Sequence, residues 1–189
     1  RTIVITGASD GIGAAAARQL TRRGDRVVVV GRTASKVERI ASELGADAFV
    51  ADFGRLAEVR DLADRLRAAY PRIDVLANNA GGMYAERRLT EDGHELTFQV
   101  NHLAPFLLTT RLADLLVESG ATIVNTSSMA SMAARVDLAD PGLGDRWTPF
   151  AAYAQSKLAN VLFTRGLDRR FAHEGIGADV DYLRSLHLA

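Results

Sequence analysis

The chain has 189 residues, 48% of them hydrophobic, with 23 basic and 23 acidic side chains, a profile of one ordinary globular domain with a well-buried core. Zero net charge, with arginines scattered among acids and not gathered in a block, argues against nucleic acid or a membrane surface as partner. The absence of cysteine excludes disulfides and thiolate chemistry, and His94, His102, His173 and His187 lack metal-ligand spacing, so no metal is expected.

The apolar runs are too short to cross a bilayer, and no charged-then-apolar leader precedes the first strand, so a cytoplasmic location is expected. Five short, β-branched, nearly continuous apolar runs, 2–6, 26–30, 46–50, 73–77 and 121–126, read as strands buried on both faces. Helical stretches over 12–23, about 34–43, 55–69, about 90–118 and 150 to about 173 alternate with them. That alternation predicts right-handed crossovers and an α/β fold: a doubly wound, Rossmann-type parallel sheet with helices on both faces, as a single domain over 1–189.

The first strand runs into "TGASDGIGAAAARQL", which places Gly7, Gly11 and Gly13 at a strand-to-helix junction. Glycine there permits a tight turn, a close approach of backbone to a pyrophosphate, and close packing of helix on strand, while the helix N-terminus offers free N–H groups to an anion. The second strand ends in "VVVVGRTASK", where an NAD-binding fold commonly carries an acid for the ribose hydroxyls; this chain has Arg32. A guanidinium suits a 2′-phosphate, with Thr33 and Ser35 as further donors, so NADP(H) is preferred over NAD(H). After the third strand Asp52, in "FVADF", is placed either to accept from an adenine amino group or to cap a helix.

Beyond the fourth strand lies "NNAG", and the next helix contains "QVNHL" followed by Pro105, which has no N–H and should disturb the helix and free a carbonyl. The fifth strand ends in "TSS", and the segment from Met129 to Pro149 is long enough to be a lid or binding loop, or else disordered. The following helix opens with "AAYAQSKLAN". Only two lysines occur, Lys36 and Lys157, so a lysine four residues after Tyr153 is hard to ascribe to chance. Residues four apart share one helix face. A phenol with a pKa of about 10 becomes a useful acid-base at neutral pH beside an ammonium and an oxidised nicotinamide, both of which favour phenolate.

The spacing T-G-x-x-x-G-x-G, then "NNAG", the "SS" pair and Tyr-x-x-x-Lys, in that order, resembles the short-chain dehydrogenase/reductase family. The stretches "FQVNHLAPFLL", "TIVNTSSMAS" and "AYAQSKLANVLFTR" are most similar to its retinol-dehydrogenase-like branch. The resemblance implies an NADP-dependent oxidoreductase that interconverts a carbonyl and an alcohol by hydride transfer. It implies Tyr153 as general acid/base, Lys157 as its partner, Ser128 (in preference to Ser127) as the substrate-orienting hydroxyl, and Asn101 as the residue supporting a proton-relay water. The cofactor-binding set it implies is Thr6, Gly7, Ser9, Asp10, Gly11, Ile12, Gly13, Arg32, Thr33, Asp52, Phe53, Asn79, Ala80 and Gly81, together with Tyr153 and Lys157. The partner would be a small-molecule carbonyl or alcohol, with a homodimer or tetramer left open. A dinucleotide-sensing protein without turnover is the alternative from another functional class.

One departure concerns the end of the chain. Family members continue into a sixth strand and a Pro-Gly turn, whereas "ADVDYLRSLHLA" reads as a helix with no Pro-Gly. A missing stretch near Ile176 and Gly177, carrying the sixth strand and the substrate-covering segment, is therefore expected. The N-terminal membrane segment common in the retinol-dehydrogenase-like branch does not precede the first strand, so retinoid activity is not assumed.

Overall fold

Alternate residues of the first two strands enter two different cores. In β1 (Thr2–Thr6) and β2 (Arg26–Gly31), Ile3, Ile5, Val27 and Val29 pack on one side of the sheet and Val4, Val28 and Val30 on the other. Both faces of these strands are therefore dry, which is why their sequences are continuous apolar runs and do not alternate with polar residues. The structure is a computed structural model in which residues 1–171 and 177–183 are described.

The first core is completed by α1 (Gly11–Arg22), through Ala14 and Ala17, and by α2 (Ala34–Leu44), through Val37, Ile40 and Ala41. On the opposite face lie α3 (Leu56–Ala69), α5 (Ala104–Arg111) and α7 (Pro149–Phe171), contributing Leu62 and Leu66, Leu108, and Leu167 respectively. With β3 (Asp47–Val50), β4 (Val75–Asn78), β5 (Thr122–Ser128) and β6 (Gly177–Leu183), the sheet has six parallel strands in the order β3-β2-β1-β4-β5-β6. The chain winds outward from β1 to β3 and then returns to place β4 on the other side of β1. That reversal leaves a crevice beyond the C-terminal ends of β1 and β4, where ligands of open α/β sheets bind. The expected fold class is thus present. Among the described residues no helix is long and apolar enough to cross a membrane.

Two expectations are corrected. The helix read over about 90–118 begins only at α4 (Leu96–Phe98), passes through a π-helical segment (Gln99–Leu103) into α5, and ends as α6 (Ala113–Ser119). Residues 90–95 instead close a turn in which Leu89 bridges Glu95. Of the segment read as a C-terminal helix without a sixth strand, residues 178–183 lie instead in β6, paired with β5 from Thr122↔Gly177 to Ser128↔Leu183. A long free edge on β5 offers backbone partners that local propensity cannot foresee, and pairing overrides the weak helical pattern. Residues 172–176 and 184–189 lie outside the described residues, and with them the junction at Ile176 where a missing stretch was expected.

Candidate active site

The turn after β1 is built on glycines for steric reasons that can be stated atom by atom. Gly7 has φ of +67°, and a Cβ on it would lie 2.8 Å from the Ala80 Cα. On Gly13 a Cβ would lie 2.3 Å from the Gly7 carbonyl oxygen. Larger residues would push α1 off the turn and the turn off the strand beside it. Asp10 caps α1, accepting from the Gly11 N–H at 2.8 Å, and its other oxygen holds the Lys36 ammonium at 2.8 Å. The Lys36 partner and the Gly11 amide keep the Asp10 carboxyl below the usual carboxylate range.

Beyond this turn opens a cleft of about 270 Å³. Of the expected cofactor set, Gly7, Ser9, Asp10, Arg32, Thr33, Asp52, Phe53, Ala80 and Gly81 line it. Thr6 and Asn79 lie behind it as stitching. Thr6 Oγ1 accepts from the Asn79 and Ala80 N–H groups at 3.0 Å each, and Asn79 Nδ2 donates to the Thr6 carbonyl at 3.0 Å. These bonds tie the end of β1 to the end of β4. Gly11, Ile12 and Gly13 form the first turn of α1 beside the cleft without being part of its wall. Asp52 turns its own loop, accepting from Gly54 N–H at 2.9 Å, while the α3 cap position is Arg55 and the Leu56 N–H is taken by Asp92. Helix capping by Asp52, one of its two sequence readings, is therefore not what the fold does with it.

Two polar wall residues escaped the sequence reading. Lys36 stands beside Arg32 and Thr33, and Tyr84 faces Arg32 from the loop after β4. Burial raises the Tyr84 phenol above its usual range, with the Arg32 guanidinium pulling the other way. Lys36 could have been found four residues beyond Arg32, on the first turn of the next helix; Tyr84 carried no sequence signal.

The second half of the site gathers at β5 and α7. Thr148 Oγ1 accepts from the Ala151 N–H at 3.0 Å and Pro149 opens the helix, a start with a side-chain cap and a residue whose missing N–H is not needed. One turn in, Lys157 Nζ lies 5.6 Å from the centre of the Tyr153 ring. The ammonium is 3% exposed and donates to the Thr126 carbonyl at 3.0 Å. Burial lowers its pKa to about 8, a desolvation effect that disfavours the charged form.

The paired serines differ. Ser127 Oγ donates to the Lys157 carbonyl at 2.8 Å, locking β5 to α7. Ser128 Oγ accepts from the Ala130 N–H at 3.2 Å, which leaves its own proton available to another acceptor. Asn101 sits in the π-helical segment and uses its whole side chain: Oδ1 accepts from the Gly82 N–H at 2.9 Å, and Nδ2 donates to the Gly82 carbonyl at 3.0 Å and to Ser156 Oγ at 2.9 Å. Gly81 lies between these groups. A Cβ there would meet Asn101 Oδ1 at 2.9 Å and stand 3.5 Å from Lys157 Nζ, so the cleft wall and the lysine adjoin at a residue that must lack a side chain.

A doubly wound parallel sheet with a glycine turn and cleft at its switch point, and a buried lysine beside a tyrosine at the next strand, is a nucleotide-binding oxidoreductase architecture. The family model for short chain dehydrogenase matches residues 1–180. The chain belongs to the short-chain dehydrogenase family. It is 46% identical over 178 residues to a Streptomyces sp. (strain C5) protein assigned as the daunorubicin C-13 ketoreductase DnrU, covering 90% of this chain and 61% of that protein. With human retinol dehydrogenase 13 it shares 39% identity over 185 residues, covering 93% and 56%. It also superposes on a metagenomic short-chain oxidoreductase in complex with NADP, with a TM-score of 0.81 and 26% identity, over 98% of this chain and 83% of that one. The chain spans about three fifths of the length of these curated relatives.

Proposed function

We propose that this chain carries the cofactor-binding and proton-transfer machinery of an NADP(H)-dependent oxidoreductase that interconverts a carbonyl and an alcohol. The observation that carries the reading is the pair on α7, with Lys157 Nζ 5.6 Å from the Tyr153 ring and Ser128 at the end of the adjoining strand. A protein that only senses a dinucleotide needs the glycine turn but not this group of side chains.

The cleft fits the cofactor's adenosine end. Gly7, Ser9 and Asp10 of the glycine turn line it, and Arg32, Thr33 and Lys36 stand just beyond β2 where a 2′-phosphate would be read. The bound nicotinamide would supply the hydride, or accept it in the reverse direction. Everything else falls to the chain. Lys157, through N–H groups not given to Thr126, would hold the nicotinamide ribose and stabilise the Tyr153 phenolate. Tyr153 would give its proton to the developing oxyanion of a ketone or take one from an alcohol, and Ser128 would hydrogen-bond the same oxygen. The freedom of the Ser128 proton, against the engagement of Ser127, supports the choice between them. Asn101 would hold the Gly82 loop and Ser156 in place around the pair.

The substrate end supports an apolar ligand. Met129, Met132 and Leu138, on the segment that leaves Ser128, are exposed at 45%, 77% and 88%, apolar side chains that an apolar substrate would meet beside Ser128. The named relatives point the same way, one to daunorubicin and one to retinol. A bulky, largely apolar ketone or secondary alcohol is the substrate class proposed.

Tyr153→Phe tests the reading, because it keeps the ring and removes only the hydroxyl. With a panel of apolar ketones assayed by NADPH absorbance, turnover should fall by at least about two orders of magnitude, while NADPH affinity measured by fluorescence stays within about twofold. Near-normal turnover in that variant would overturn the mechanism.

A further inference from the structure

Pro105 has no N–H to give the Asn101 carbonyl four residues before it, and another residue fills the place. Asn160 Nδ2 donates to Asn101 O at 3.0 Å and to Thr126 O at 3.3 Å. Thr126 O is the same oxygen that takes the Lys157 ammonium, at 3.0 Å. Asn160 Oδ1 in turn faces His102 Nδ1 at 3.0 Å, so the imidazole donates there. One buried amide, 3% exposed, thus joins α7 to the π-helical segment and to β5 on the inner side of Lys157.

We infer that Asn160 is a positioning residue for Lys157: by occupying the Asn101 and Thr126 carbonyls it keeps the ammonium from turning inward and leaves its remaining N–H groups for the cleft side at Gly81. This rests on the reading of Tyr153 and Lys157 as proton donor and partner. An ammonium has three donors and no acceptor, and it turns to whichever carbonyls are unsatisfied. With Asn160 in place, Thr126 is its acceptor on the inner side, and a Cβ placed on Gly81 would stand 3.5 Å away on the outer side. Without Asn160, Thr126 O keeps the ammonium as its donor while the Asn101 carbonyl loses its side-chain donor inside a dry site, and the buried ammonium is the charged donor drawn toward it.

The titratable groups around this point are Tyr153 on the same helix and His102 behind Asn160. Burial holds the Lys157 pKa at about 8 and lowers that of His102, the bond to Asn160 partly opposing the latter shift. His102 keeps a proton on Nδ1 in both charge states, so its own titration leaves the bond to Asn160 in place.

The test uses Asn160→Leu, close in volume and without donors, and reads two quantities that a structural role alone would not move. Because the chain contains only Lys36 and Lys157, the side-chain carbon resonances of ¹³C-lysine protein can be titrated without cofactor and assigned with Lys36→Arg. The Lys157 midpoint should rise by at least about half a unit as the charged form gains acceptors. The acid limb of alcohol oxidation should move up with it, because an ammonium drawn away from the phenol favours phenolate less. Should Asn160→Leu fail to fold, Asn160→Ser retains one donor on a shorter arm, and a smaller shift in the same direction is expected. A folded variant whose Lys157 midpoint and acid limb both match the parent protein overturns the inference. If instead Tyr153→Phe retains turnover, the mechanistic reading falls, and the titration without cofactor still decides on Asn160 by itself.

Discussion

At the β1–β2 end of the cleft the charged groups stand in water: the Lys36 and Asp10 side chains, paired at 2.8 Å, are 51% and 73% exposed. At the β5–α7 end the polar groups are sealed in, with Asn101, Ser127, Lys157 and Asn160 all buried and each bonded to a named partner. Exposed pairs contribute about 0–1 kcal/mol and rearrange readily, which suits a rim that must open for an anionic ligand. Buried groups lose several times that when a partner is removed, which suits a centre whose geometry must not drift. The β1–β2 end of the cleft is therefore specified by exposed charge and the β5–α7 end by connectivity, and substitutions should behave differently at the two.

The sharpest contrast is expected within one dipeptide. Ser128→Ala should cut turnover by about two orders of magnitude with little change in stability, if its proton has the proposed role of stabilising an oxyanion. Ser127→Ala should instead lower stability by about 1 kcal/mol through the lost bond to the Lys157 carbonyl, and should reduce turnover less. Parallel assays of turnover and thermal unfolding on both variants would blur the distinction if the two serines exchanged roles.

At the open end, Arg32→Asp should weaken NADPH binding by more than about 2 kcal/mol, because it removes a charge-assisted contact and adds repulsion. NADH binding should suffer much less, and fluorescence titrations with the two cofactors compare them directly. Equal losses would mean that charge at the rim does not select the cofactor.

The smallest effect is one of stability, and its sign follows from the Lys157 pKa. Burial lowers it from 10.5 to about 8, so the folded state binds the proton less well than the unfolded state and folding is penalised while the lysine must be charged. That penalty is full below pH of about 8 and disappears as pH rises through about 10.5. Lys157→Met should therefore stabilise the protein at pH 7 by about 1 kcal/mol or more, the lost bond to Thr126 offsetting part of the gain. The gain should shrink between those two pH values, as chemical denaturation at several pH values would show. A constant or inverted difference would mean that the ammonium is better solvated than its burial implies.

How much could be read before the fold was seen depended on range. Gly7, Gly11 and Gly13 were legible because a strand, a turn and a helix N-terminus follow one another within a few residues. Tyr153 and Lys157 were legible because a helix repeats in under four residues and places both on one side. Arg32 was legible as the residue just past the end of a strand. Each of these signals is local, so periodicity and spacing sufficed to find it.

The remaining features belong to pairs of residues far apart in sequence. Glu95 reads as one more acid, yet it is buried, caps the Phe98 N–H at 2.7 Å and accepts from Trp147 Nε1 at 3.2 Å. Tyr84 became a cleft residue only when β4 returned beside β1. The requirement for glycine at Gly81 arises from Asn101, and the place of Asn160 from a proline on another helix. The last strand, read as a helix, was decided by the free edge of β5. By itself the sequence determined the class of fold, the glycine turn and the shared helix face of Tyr153 and Lys157, because those follow from local backbone periodicity and steric need. Only the tertiary structure decided which serine is engaged, which carbonyls are occupied and where the sheet ends, because satisfaction of buried polar groups and strand edges is settled between elements and not within them.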